Sequence, residues 1–88
     1  MPELIPFLRC VVSEGESLPV RVIAFKKADG KTAVAVVNKD CIYGDRRLCK
    51  VKIRETRKKT AIIILPAPML GTEGCIAEVS KNILEWHR

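Results

Sequence analysis

The chain has 88 residues, which suits one small domain with a modest core. Hydrophobic residues make up 48% and charged residues 30%, a balance that excludes a wholly disordered chain. Sixteen basic residues against ten acidic ones give a net charge of +6, which points to a polyanionic partner (RNA, DNA or an anionic membrane surface) over a merely basic soluble protein.

The opening Met1-Pro2-Glu3-Leu4-Ile5-Pro6 lacks the basic start and long apolar run of a secretory signal. No stretch reaches the roughly 18 apolar residues needed to span a bilayer. A cytoplasmic location without membrane association is the expectation.

Strand patterns follow. Phe7 to Val12 reads as a first strand and residues 20–27, VRVIAFKK, as a second. Between the second and third strands, Ala28-Asp29-Gly30-Lys31 carries the Asp-Gly pair that supplies positive φ in a tight hairpin. Thr32 to Val37 returns as the third strand, and the loop Asn38 to Arg46 has room for about one helical turn.

Arg47 to Glu55 forms the fourth strand. Thr56-Arg57-Lys58-Lys59 turns the chain into a fifth, Thr60 to Leu65, which is apolar on both faces as in a covered central strand. Pro66 ends it, because proline cannot donate to a ladder. A loop with Gly71 and Gly74 leads to a sixth strand, Cys75 to Val79. Ser80 then caps a short C-terminal helix presenting Val79, Ile83 and Trp86 on one face.

Shifted by 28 residues, the chain partly overlays itself, with Thr32 to Val37 on Thr60 to Leu65 and Leu48 to Val51 on Ile76 to Val79. Duplication and two generic strand–loop–strand units both account for this overlay. Six strands must hide two sheet edges, and closure does so. The expectation is an all-β single domain over residues 1–88, a small six-stranded closed or partly closed barrel with a short C-terminal helix. A two-layer sandwich is the alternative. Val34, Val36, Val51, Ile53, Ile62, Ile64 and Val79 are the expected core.

The chemistry concentrates in the fourth strand and its hairpin. Cys49, Val51 and Ile53 alternate with Lys50, Lys52 and Arg54, so the cations share one face. Residues two apart on a strand are ~6.6 Å apart, close to phosphate spacing along a nucleic-acid strand. Arg46, Arg47, Arg57, Lys58 and Lys59 extend the stripe. Eight of the fourteen residues from 46 to 59 are basic, half of the chain's positive charge. A solvated, aggregation-blocking strand face is the competing reading. Lys26, Lys27 and Lys31 crowd the other hairpin tip. No aromatic residue lies within the basic strand, so contacts to phosphates are expected over base stacking. Tyr43 either stacks on a base or covers the barrel mouth.

Other chemistries have little support. The four cysteines, Cys10, Cys41, Cys49 and Cys75, form no C-x-x-C pair, and the one histidine, His87, lies beside the C-terminus. Neither a metal nor a cofactor is expected. Cys49 and Cys75 alternate with aliphatic residues, as small buried hydrophobes do. There is no phosphate-cradling glycine loop and no Ser-His-Asp set, so no enzyme is expected. Asp40, Asp45 and Glu73 are the acids that a catalytic reading would use.

"YGDRRLCKV", Tyr43 to Val51, resembles the Gly-Asp box that precedes a barrel strand in the cradle-loop barrels. That group holds the AbrB-type swapped-hairpin, RIFT and double-psi barrels. "AIIILPAPMLGTEGCIAEV", Ala61 to Val79, resembles the AbrB pattern of an apolar strand ending in proline, a connector, a glycine turn and a final strand. The likeness covers residues 20–79. It departs where Thr72-Glu73-Gly74 replaces a second Gly-Asp, and in connectors short for the AbrB helix. The resemblance implies a nucleic-acid-associated barrel, with DNA the group's commonest partner.

The sequence thus predicts a non-enzymatic nucleic-acid-binding protein, for DNA or RNA, acting through Arg46, Arg47, Lys50, Lys52, Arg54, Arg57, Lys58 and Lys59. A DNA-binding regulator and a small component of a ribonucleoprotein both fit. The alternative is a protein-interaction module or an oligomer subunit, with the apolar strand Ala61 to Leu65 covered by a partner chain. A homo-oligomer is open in either case.

Overall fold

A computed structural model describes residues 4–13, 19–43, 47–71 and 74–87. Arg46, Asp45 and Glu73, named above, lie outside these residues. The described chain is all-β, with ten short strands and two single turns of 3-10 helix. The strands are β1 (Ile5–Arg9), β2 (Val11–Val12), β3 (Val20–Lys26), β4 (Thr32–Asn38), β5 (Ile42–Tyr43), β6 (Leu48–Lys50), β7 (Lys52–Thr56), β8 (Thr60–Ile64), β9 (Ile76–Ser80) and β10 (Leu84–His87). They form one four-stranded sheet, β10-β1-β6-β5, and two three-stranded meanders, β2-β3-β4 and β7-β8-β9.

The expected hairpin at Asp29-Gly30 is present. Gly30 adopts φ 88°, a conformation that favours glycine, and the Lys31 amide donates to the Asp29 carboxylate at 2.9 Å. The second hairpin closes without glycine through the Arg57 amide and the Thr60 carbonyl, at 2.8 Å.

No closed barrel forms. The expected first and fourth strands each break, at Cys10 and at Val51, and each passes from the shared sheet into a meander. A barrel needs one continuous ladder with a consistent tilt, and these breaks divide the ladder into three. The edges are covered locally instead. The Leu70 amide donates to the Val34 carbonyl at β4, and the Ala28 amide to the Glu78 carbonyl at β9. Each hairpin or connector tip thereby docks on the other half of the chain.

The C-terminal helix is likewise absent. The Ser80 hydroxyl does accept from the Asn82 amide, but it caps only the 3-10 turn Lys81–Ile83. Leu84 to His87 then runs extended against β1, pairing Ile5 with His87 and Leu8 with Leu84. So short a helix has no stability of its own, whereas the open edge of β1 offers a full ladder.

The strand registers show an internal twofold that differs from the 28-residue shift. Leu8 pairs with Cys49 at the centre of the shared sheet. Around that pair, Leu8↔Leu84 in one half matches Cys49↔Ile42 in the other. Val11↔Ala24 matches Lys52↔Ile64, and Ile23↔Ala35 matches Ile63↔Ala77. The offsets are 41 for the first strands, 40 for the second and 42 for the third. Hydrogen bonds repeat as well: Cys10 N–H to Arg47 C=O mirrors Val51 N–H to Pro6 C=O. The Asn38 side chain caps the turn Lys39–Cys41 as Ser80 caps its own.

One core serves all three sheets. Leu8, Ile23, Ile63, Val37, Val79 and Cys49 are its largest fully enclosed side chains. Val51 and Val79 were expected there. In β4 and β8 the opposite face is buried: Ala33, Ala35 and Val37 with Ala61, Ile63 and Leu65. Val34, Val36, Ile53, Ile62 and Ile64 are only partly covered. A strand aliphatic at every position carries no alternation, so its inward face follows from register alone.

The four cysteines are thiols. Burial pushes Cys10 up to about 11 and Cys49 up to about 12, the latter with help from the nearby Cys10 and Cys41. Below the ordinary thiol value near 9 both states keep these protons, and stability does not respond to them. As pH rises above 9 the unfolded chain loses them first, so stability falls. Resistance to urea unfolding is expected to fall from pH 9 towards about 11, with a shallower fall in Cys10→Ala/Cys49→Ala. An unchanged slope in that variant would contradict the burial of these thiols. Ile63→Ala should cost about 2–5 kcal/mol in the same assay and Ile62→Ala about 1, which tests the face assignment.

Candidate nucleic-acid interface

The basic segment keeps its alternation across the strand break. Cys49 and Val51 are buried and Ile53 packs on the core, while Lys50, Lys52 and Arg54 are exposed. Lys50 belongs to β6 in the shared sheet and Lys52 to β7 in the second meander. Arg54 is the extra residue of a bulge between Ile53 and Glu55, and such bulges re-aim a side chain. Arg47 is exposed ahead of β6, and Lys58 and Lys59 are exposed in the hairpin turn. Among the described residues, no carboxylate pairs with Arg47, Lys50, Lys52, Arg54, Lys58 or Lys59.

Arg57 differs from its neighbours. Its guanidinium reaches Glu78 at 3.3 Å and Glu55 at 3.4 Å. Glu78 also accepts from the Thr60 hydroxyl at 2.6 Å. Arg57 thus ties β7 to β9 and has less charge to offer a ligand. The other basic tip abuts the same strand, since Ala28 bonds to Glu78, and there Lys27 lies 3.9 Å from Asp29.

Lys50 and Lys52 flank a concavity of about 210 Å³ whose lining includes Cys41, Val51, Ile64, Leu65 and Pro66. Its floor is apolar and its cations stand at the rim. Among the described residues its lining holds no acid or histidine, and no group of three or more His, Cys, Asp or Glu could hold a metal ion. Asp40 sits exposed in the 3-10 turn after β4.

The outer face of the shared sheet carries residues that strand-by-strand reading did not assemble. Phe7 is 5% exposed although it lies on that face, because two rings cover it. Tyr43, from one edge strand, has its centroid 4.7 Å from Phe7, and His87, from the other edge, lies 5.6 Å away. Tyr43 and His87 meet at 5.3 Å with planes 35° apart. Lys50 is the cross-strand partner of Phe7 and shares its face. Arg9, on the same face, pairs with Glu85. The Arg9 hydrogen bond, and secondarily that from His87, holds the Glu85 carboxyl below its usual range. The alternation of Leu84-Glu85-Trp86-His87 is the sequence signal that could have placed His87 on a sheet.

No helix among the described residues is long and apolar enough to cross a membrane. Comparison of the chain with protein-family models, with curated proteins and with solved structures finds no match in any of the three.

Proposed function

We propose that the protein binds nucleic acid, DNA or RNA, through its phosphates and without turnover. The observation that carries this reading is the row Lys50, Lys52 and Arg54, exposed along one segment and free of carboxylates among the described residues. Unpaired cations along one segment, Lys50 in β6, Lys52 in β7 and Arg54 on the bulge, exchange their counterions for phosphates. Arg47, Lys58 and Lys59 extend the row, and Arg57 braces it. A cytoplasmic setting, reducing enough to keep four thiols, belongs to the same proposal. So does the cradle-loop resemblance of Tyr43 to Val51 and Ala61 to Val79.

A second reading has its own observation. The outer face of β2-β3-β4 carries Val11, Val20, Val22, Ala24, Val34 and Val36, and Val11 is 74% exposed. An exposed aliphatic patch of this kind, edged by Lys26, Thr32 and Asn38, marks a protein interface. It would make the chain an oligomer subunit, through a face other than the strand Ala61 to Leu65.

Duplex DNA and structured RNA, titrated at two salt concentrations, test the first reading. Affinity should fall with salt at a log–log slope near −0.9 per neutralised duplex phosphate. Lys50→Glu with Lys52→Glu should abolish binding with an unchanged circular dichroism spectrum. Lys52→Ala should reduce the slope by about 1, whereas Arg57→Ala should leave the slope alone and lower stability by no more than about 1 kcal/mol. No binding of either nucleic acid at low salt would end this reading. Sedimentation tests the second: Val22→Glu should convert a salt-insensitive oligomer to monomer, and a wild type monomeric at all concentrations would remove it.

A further inference from the structure

The internal twofold allows the two halves to be compared position by position. Buried positions match: Leu8 with Cys49, Ile23 with Ile63, Ala35 with Ala77 and Val37 with Val79. The outer face of the shared sheet does not. There Arg9 corresponds to Lys50, and Glu85 corresponds to Tyr43. One half therefore closes its outer face with the Arg9–Glu85 ion pair. The other half puts a cation and an aromatic ring in the same diagonal relation, and the cation has no carboxylate.

From this asymmetry we infer that Tyr43, backed by Phe7 and His87, is a stacking platform for an unpaired base of single-stranded nucleic acid, with Lys50 holding the adjacent phosphate. The inference rests on the phosphate-binding reading above and specifies its ligand. A ring fit for stacking must be exposed yet held. Tyr43 is 43% exposed, and its ring packs on both Phe7 and His87. Diagonal neighbours in an antiparallel pair are about 7–8 Å apart, within the reach of one nucleotide. Bases in a duplex are stacked on one another and offer only edges, so a flat ring on a sheet selects the unpaired strand. From Lys50 the backbone can continue past Lys52 towards Arg54.

Fluorescence anisotropy with a labelled twelve-nucleotide oligo-dT or oligo-U, against an abasic phosphodiester of equal length, separates stacking from charge. The base-bearing strands should bind about 10- to 100-fold tighter than the abasic one. Tyr43→Ala should erase that difference while leaving abasic binding intact, and Tyr43→Phe should preserve it. Equal wild-type affinity for base-bearing and abasic strands, with a salt slope retained, overturns the platform and leaves phosphate binding standing. A base preference that survives Tyr43→Ala also overturns it. If neither strand binds, the phosphate reading falls and the platform with it. Should Tyr43→Ala unfold, the abasic comparison in the wild type still decides.

Discussion

The antiparallel pairing of β1 with β6 is the contact on which the rest of the molecule depends. It joins the two halves of the chain at their equivalent strands, with Leu8 against Cys49, both fully buried. Each of these strands then leaves the shared sheet, at Cys10 or Val51, to begin its own meander. The carbonyls of Arg47 and Pro6 accept the amides at the two breaks, so no backbone donor is lost where the strands change sheets. Neither half could bury its inner face alone. A meander of three short strands needs a second layer, and here each half supplies the layer for the other.

A duplicated scaffold of this kind constrains inward positions far more than outward ones. The core takes close-packed apolar side chains, and the two halves match there at Leu8 and Cys49, Ile23 and Ile63, Ala35 and Ala77, and Val37 and Val79. Outward positions answer to solvent and to partners, and the halves diverge. Val11, Val20 and Val36 on one meander correspond to Lys52, Thr60 and Glu78 on the other. One meander is left with an aliphatic outer face, while the other keeps Ile62, Ile64 and Ile76 there and adds Lys52, Thr60 and Glu78. The two proposed surfaces therefore occupy different halves and could operate in the same molecule.

Electrostatics sorts the basic residues by role. Arg57 and Arg9 are committed to carboxylates and help to hold β9 and β10 in place. Such exposed pairs contribute little stability singly, but they withdraw charge from the surface. Lys50, Lys52, Arg54, Lys58 and Lys59 retain theirs. The +6 of the whole chain is thus presented less evenly than composition implies.

By itself the sequence determined the all-β character, the Asp29-Gly30 hairpin, the alternation that turns Lys50, Lys52 and Arg54 outward, and a cap at Ser80, though for one 3-10 turn and not the expected helix. Each is local: a period of two, a residue suited to positive φ, or a side-chain oxygen beside a free amide. Tertiary structure alone decided which face of β4 and β8 is buried, because runs such as AIIIL look alike from both sides. It decided that residues 84–87 form a strand, because an open edge of β1 was waiting for them. Arg57 became a brace because Glu78 arrives from a distant strand. Phe7, Tyr43 and His87, far apart along the chain, meet because β1, β5 and β10 share one sheet, and pairing over such distances leaves no mark in any short stretch of sequence.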